Sequence, residues 1–272
     1  SQIFHYRDGG QGLYYHFVVG DSTKTDTLVF LYGGSGCQSW KSVMPHYVSG
    51  LVANAHVYAL NKRFVADRSL GSQDCGADFK QANNLQQWVQ DWSEFVSAQI
   101  RNSPEKPKNI VLVGVSEGAL AATKIASLEP RITHLAIIGS GAYSMRQSLR
   151  TLKHQGVIAW DVDAESKQIT KDPQSLTKSW YGHPYRWWSE VLDMDPLPDL
   201  LKLDIPVLVG IGEKDASVPQ ESAQLLQRQF KEAGKTNLKL EIYPGANHRL
   251  QSADKSYRSE YFARLSELLH SK

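Results

Sequence analysis

Residues Asn109-Ile110-Val111-Leu112-Val113-Gly114-Val115-Ser116-Glu117-Gly118-Ala119-Leu120-Ala121-Ala122-Thr123-Lys124-Ile125-Ala126 hold the decisive pattern of this chain of 272 residues. The first five form a short apolar, β-branched run, as a buried strand does. Residues 119–126 are rich in helix formers. Between the two segments a serine stands between two glycines, at a strand-to-helix turn. Such a turn is so tight that a Cβ at 114 or 118 would crowd neighbouring backbone, hence glycine at both. It pushes Ser116 Oγ out above the sheet edge and aims the N-terminus of the following helix at the same point. This is the pattern of a nucleophile elbow, and it makes Ser116 the candidate nucleophile.

Outward from this turn, strand and helix patterns alternate. Strands are expected at Tyr14–Val19, Thr27–Tyr32, His56–Asn61, Asn109–Gly114, His134–Ile138, Pro206–Ile211 and Leu238–Tyr243, and helices near Gln81–Arg101, Glu117–Leu128, Pro219–Ala233 and Lys255–His270. In Gln81–Arg101 the residues Leu85, Trp88, Val89, Trp92, Phe95, Val96 and Ile100 recur at three- and four-residue spacing, a stripe for packing on a sheet. Pro219 suits a first helical turn. Strands separated by helices imply an α/β fold with a mostly parallel sheet covered on both faces. From Ala142 to about Pro198 the alternation stops. Four of the seven tryptophans fall there, Trp160, Trp180, Trp187 and Trp188, with Tyr181 and Tyr185 nearby. We read residues 142–198 as a cap inserted into a core made of residues 1–141 and 199–272.

Bulk properties narrow the class. Hydrophobic residues make up 41% and charged residues 21%, ordinary for a globular chain, and the length suits one large α/β domain. A net charge of +2 without a basic stripe argues against a nucleic-acid partner. No apolar run is long enough to span a bilayer. Ser1–His5 lacks a basic start followed by an apolar core, so no signal peptide is read there; a mature chain would look the same. Cys37 and Cys75 are too few for a disulfide scaffold or a structural zinc site. Each follows a segment expected at the carboxyl edge of the sheet, so the two can lie close together. A single bridge, with a periplasmic or secreted location, is favoured over free thiols in the cytoplasm.

A serine nucleophile needs a base and an acid to orient it. Of nine histidines, His248 lies just beyond the last expected strand, where active sites collect. His183, in the aromatic segment, is the second choice, as a substrate contact. No two histidines have metal-site spacing with a carboxylate, so neither a metal nor another cofactor is expected. Asp215 follows the run Val207–Gly212 and is the expected acid, with Glu213, Asp193 and Asp195 as competitors. The oxyanion formed in acyl transfer needs donors. Backbone N–H of Glu117 is one, and the turn Gly33-Gly34-Ser35-Gly36 offers a second at Gly34, with Ser35 as its neighbour. That turn lacks the ending of a phosphate-binding loop.

Taken together, Gly33-Gly34, Gly114–Gly118, Gly212-Glu213-Lys214-Asp215 and Gly245-Ala246-Asn247-His248 resemble the α/β-hydrolase superfamily over nearly the whole chain. The resemblance implies the α/β-hydrolase fold with an eight-stranded sheet, a cap and hydrolysis through an acyl-enzyme. Two positions depart from the pattern. Tyr32 stands where many lipases and peptidases have histidine, and Glu117 follows the nucleophile where many relatives have a neutral or aromatic residue. Glu117 is read first as a helix-start acid that can pair with Lys62 or Arg63, and second as a binder of a substrate amine. The expected activity is hydrolysis of an ester or thioester of a small-molecule acyl substrate. A peptidase or amidase is the alternative, and a non-catalytic binding protein the third reading. Substrate contacts are expected from Ser35, Trp180, Tyr181, His183, Trp187 and Trp188. Arg63, Arg68 and Arg186 are considered for a substrate carboxylate, but surface positions suit them better.

Overall fold

Eight strands form one sheet in the computed structural model, which describes residues 1–71, 74–103 and 106–270. They are β1 (Gln2–His5), β2 (Gln11–Val19), β3 (Thr27–Tyr32), β4 (Ala55–Leu60), β5 (Asn109–Val115) and β6 (His134–Ile138), then β9 (Val207–Gly212) and β10 (Leu238–Tyr243). A separate two-residue pair, β7 (Ser179–Trp180) and β8 (His183–Pro184), lies between β6 and β9 in the chain. The helices are α1 (Ala77–Ala82), α2 (Leu85–Asn102), α3 (Glu117–Leu128), α4 (Met145–His154), α5 (Val162–Lys171), α6 (Tyr185–Val191), α7 (Leu197–Leu201), α8 (Gln220–Glu232) and α9 (Arg258–His270).

Sheet order is β1-β2-β4-β3-β5-β6-β9-β10, antiparallel at β1–β2 and β2–β4 and parallel from β4 to β10. Strand β5 therefore sits between β3 and β6, with Gly114 in register with Tyr32 on one side and Ile137 on the other. The loops after β3, β4, β5, β9 and β10 all leave the carboxyl edge, where ligands collect in such sheets.

Every residue of β3 is buried, because both faces are covered. Leu28, Phe30 and Tyr32 pack with Trp88, Trp92 and Phe95 of α2 and Ala119, Ala122 and Ile125 of α3. Val29 and Leu31 face the other way, to Tyr261, Phe262 and Leu265 of α9. Trp88 and Trp92 are thus core residues, and truncating either to alanine costs about 3–5 kcal/mol.

The helix expected at Gln81–Arg101 is two helices. Asn84 caps α2 by accepting from Gln87 N–H at 2.8 Å, and α1 ends before Asn83. Pro219 precedes α8 as its N-cap rather than lying in its first turn. Strand β1, four mostly exposed residues at the sheet edge, carries no apolar pattern and was not expected as a separate element. Between β6 and β9 the chain forms α4–α7 and the β7–β8 pair, around an apolar cluster of its own that includes Leu149, Ile169, Tyr185, Trp187 and Trp188. The last two residues of the expected 199–272 piece lie outside the described residues.

Candidate active site

The turn from β5 into α3 holds Ser116 at φ 54° and ψ −121°, a backbone conformation that side chains rarely adopt. Such an outlier costs about 1–3 kcal/mol and persists only where its surroundings impose it. Here Ser116 N–H donates to Ile138 O at 2.8 Å. The flanking glycines are required by contact. A Cβ on Gly114 would come within 2.5 Å of Ala119 Cα, and one on Gly118 within 2.5 Å of the carbonyl oxygens of Tyr32 and Gly33.

Asp215 follows β9 and is fully buried as a side chain. One carboxylate oxygen accepts from the N–H groups of Ser217 and Val218, at 2.8 and 2.9 Å. The other meets His248 Nδ1 at 2.7 Å. An ionised carboxylate has no proton to give, so Nδ1 donates and Nε2 is left as the acceptor. The competing acids are occupied elsewhere. Glu213 accepts from Gly245 N–H, Asp193 pairs with Arg146, and Asp195 accepts from Leu197 N–H.

Ser116 and His248 line one cavity of about 360 Å³, together with Gly33, Gly34, Ser35, Trp40 and Tyr47. Among the described residues no hydrogen bond joins Ser116 Oγ to His248; such contacts commonly tighten only when substrate binds. On its other side Ser116 borders a recess of about 20 Å³ formed with Tyr143, Met145 and Met194 of residues 142–198. Gly34 lies against Ser116, where a Cβ on it would stand 3.9 Å from Ser116 Oγ. Among the described residues the backbone N–H groups of Gly34 and Glu117 have no acceptor.

Lys62, on the wall of this cavity, belongs to a buried ion pair. Lys62, just after β4, reaches Glu117 Oε2 at 3.5 Å, with the two side chains 6% and 1% exposed. Its ammonium also donates to Gly34 O at 2.6 Å and Gly36 O at 3.3 Å, and stands 3.2 Å from the Trp88 ring centre. Trp187 Nε1, from α6, donates to Glu117 Oε1 at 2.7 Å. Burial pulls the Lys62 amine down to about 8 and pushes the Glu117 carboxyl up, each partner opposing the other's shift. Of the two partners foreseen for Glu117, Lys62 is the one it meets; Arg63 bonds Asp91 and Asp8.

The aromatic residues expected to touch substrate are placed differently. Trp180, Tyr181, His183, Trp187 and Trp188 line neither space that touches Ser116. Trp187 and Trp188 are buried in the segment's own cluster, where Trp188 Nε1 donates to Trp180 O at 2.7 Å and His183 stacks on Trp187 with ring centres 4.1 Å apart. Their polar handles close that cluster and tie it to Glu117. Tyr181 is exposed and packs on Trp160. Arg63, Arg68 and Arg186 line neither space, whereas Arg249 and Arg258 line the larger one. A disulfide joins Cys37 to Cys75, immediately after the Gly33–Gly36 turn. Among the described residues no cluster of three or more His, Cys, Asp or Glu is placed to hold a metal, and no helix is long and apolar enough to cross a membrane.

A family model described as serine aminopeptidase, S33, matches residues 68–255, more than half of the chain. The chain belongs to that family. It is therefore a hydrolase of the α/β-hydrolase superfamily, and its sheet is the family's mostly parallel, helix-flanked one. No curated protein sequence matches it. Among solved structures it is similar to an esterase of Pyrococcus furiosus, at 19% identity and a TM-score of 0.63, over 98% of this chain and 88% of that one. It is also similar to the esterase Est1E of Butyrivibrio proteoclasticus with ferulic acid bound, at 16% identity, a TM-score of 0.70 and full coverage of both chains. A third likeness is to an acylaminoacyl peptidase of Pyrococcus horikoshii, at 14% identity and a TM-score of 0.59, over 98% of this chain and 41% of that one. At these identities the likeness is one of fold.

Proposed function

We propose that this S33 family member cleaves a carboxylic ester or thioester through an acyl-enzyme, with Ser116 as nucleophile, His248 as general base and Asp215 as the acid that orients it. The observation that carries this reading is the 2.7 Å hydrogen bond from His248 to Asp215 in a cavity that also holds Ser116. Ser116 Oγ attacks the acyl carbon while His248 Nε2 takes its proton, and Asp215 stabilises the imidazolium. Negative charge on the former carbonyl oxygen is met by the N–H groups of Gly34 and Glu117. His248 then gives its proton to the leaving alcohol or thiol, and a water activated by the same imidazole releases the acid. Residues 142–198 act as a cap, held to the core by the Trp187–Glu117 hydrogen bond.

A peptidase or amidase reading draws on the family's description and on the peptidase among the fold relatives. Two observations favour the ester. Glu117, the acid considered for a substrate amine, is already engaged by Lys62 and Trp187. Among the described residues the larger cavity is lined by Lys62, Arg249 and Arg258 and by no carboxylate, so an ammonium group would enter against like charge. Rates on 4-nitrophenyl esters and aminoacyl 4-nitroanilides test the choice. Ester turnover that disappears in Ser116→Ala is expected. Anilide turnover at comparable kcat/KM would replace the ester reading with the peptidase one.

A further inference from the structure

The larger cavity has an unbalanced charge. Among the described residues, Lys62 alone of its cationic residues has a carboxylate partner, Glu117, which lies outside the lining. Arg249 directly follows His248, and Arg258 opens α9; among the described residues neither forms an ion pair. The Arg258 guanidinium stands 5.1 Å from the Tyr47 ring centre, and its Nε is 3.4 Å from Ser256 Oγ. Tyr47, Arg249 and Arg258 line the same cavity, where burial pushes the Tyr47 hydroxyl up to about 12 and the charges of Arg258 and Arg249 oppose that shift. Gln38 and Gln251 add neutral polar groups to the same wall.

We propose that the substrate carries a carboxylate on the part that fills this cavity, held by Arg249 and Arg258. The proposal rests on the reading of Ser116 as the nucleophile. A guanidinium offers a planar fork of donors that matches a carboxylate, and among the described residues no carboxylate of the chain occupies either fork. The substrate class is then an acidic ester or thioester, such as the half-ester of a dicarboxylic acid or an ester of a hydroxy acid. Neutral chains of the same length would fill the cavity and leave both cations without a partner.

Two ester pairs test it. 4-Nitrophenyl hydrogen glutarate against 4-nitrophenyl valerate places the carboxylate in the acyl half; 3-acetoxybenzoate against phenyl acetate places it in the leaving group. In at least one pair the charged ester is expected to show a kcat/KM about ten- to a hundredfold above its neutral partner. That ratio should fall towards one in Arg249→Gln/Arg258→Gln. The pair that shows the preference identifies the half of the substrate that lies in the cavity. Ratios near one in both pairs, or a preference that survives the double substitution, overturn the proposal. A second arm does not depend on catalysis: titration of monomethyl glutarate into Ser116→Ala, with and without the two arginine substitutions. Binding lost with the arginines supports the anion site even if no ester is cleaved, and binding indifferent to them overturns it.

Discussion

Replacing Lys62 by methionine should be among the most damaging single changes near this site, and the size of the loss follows from what the ammonium touches. Methionine keeps most of the stem volume beside Trp88 and removes the ammonium, with its charge and its donors. It leaves Glu117 buried with one donor, Trp187 Nε1 at 2.7 Å, and strips the Gly34 and Gly36 carbonyls of theirs. Removing one partner of a buried pair costs about 3–5 kcal/mol, because the remaining charge stays uncompensated. Glu117→Gln should cost a comparable amount, since Lys62 would then lack its counter-charge. The double variant Lys62→Met/Glu117→Gln buries no charge and should lose far less than the sum, with a coupling energy of about 2–4 kcal/mol. Urea unfolding of the four proteins, with m-values compared, measures it. Because Lys62 holds the Gly34 carbonyl, next to the N–H proposed as an oxyanion donor, kcat of Lys62→Met should also fall, up to about a hundredfold. Single-variant losses that add to within about 0.5 kcal/mol in the double variant would refute the pairing.

Three further outcomes are expected. Burial, aided by the Lys62 charge, holds the His183 imidazole down at about 4, against an ordinary value of 6.5. Between those two values the unfolded chain binds a proton that the folded one refuses, so this residue makes stability fall as pH drops from 6.5 towards 4. His183→Gln should therefore show a shallower fall in urea midpoint over that range, and an unchanged slope would count against the buried neutral ring. Cys75→Ala opens a bridge whose cysteines are 38 residues apart, for which chain entropy predicts a loss of about 4 kcal/mol, read as a lower urea midpoint. Loss of the Cys37 anchor should also raise KM, since the Gly33–Gly36 turn precedes it directly. Gly118→Ala forces a methyl onto the carbonyls of Tyr32 and Gly33 and should destabilise by about 1–3 kcal/mol with a larger drop in kcat than in stability-matched core variants. Wild-type kcat in that variant would show that the turn tolerates movement.

Much of this organisation is legible in the chain because it depends on local pattern. Strands β3, β6 and β10 and helix α3 match their expected bounds, since buried β-branched runs and a helix opened by the elbow carry their own signals. Asp215 and His248 could be singled out because each stands a few residues beyond a strand that the sheet aligns. Glu117 was half legible: its partner Lys62 was one of two named, but the link to Trp187 joins residues 70 apart and has no local trace. The aromatic residues of 142–198 read equally well as ligand contacts or as packing, and only their three-dimensional placement separates the two. Arg249 and Arg258 carry no motif. They become notable only because the loop after β10 and the start of α9 fold against the same cavity, whereas Arg63, which looked comparable in sequence, is neutralised by Asp91 and Asp8.

The most direct test of the central claim is where a fluorophosphonate attaches. Its phosphorus should form one covalent bond, to Ser116 Oγ, giving a single added mass on the peptide that spans residues 109–124, with labelling abolished in Ser116→Ala and strongly slowed in His248→Ala. Labelling that persists in Ser116→Ala, or that maps to any other residue, would contradict it.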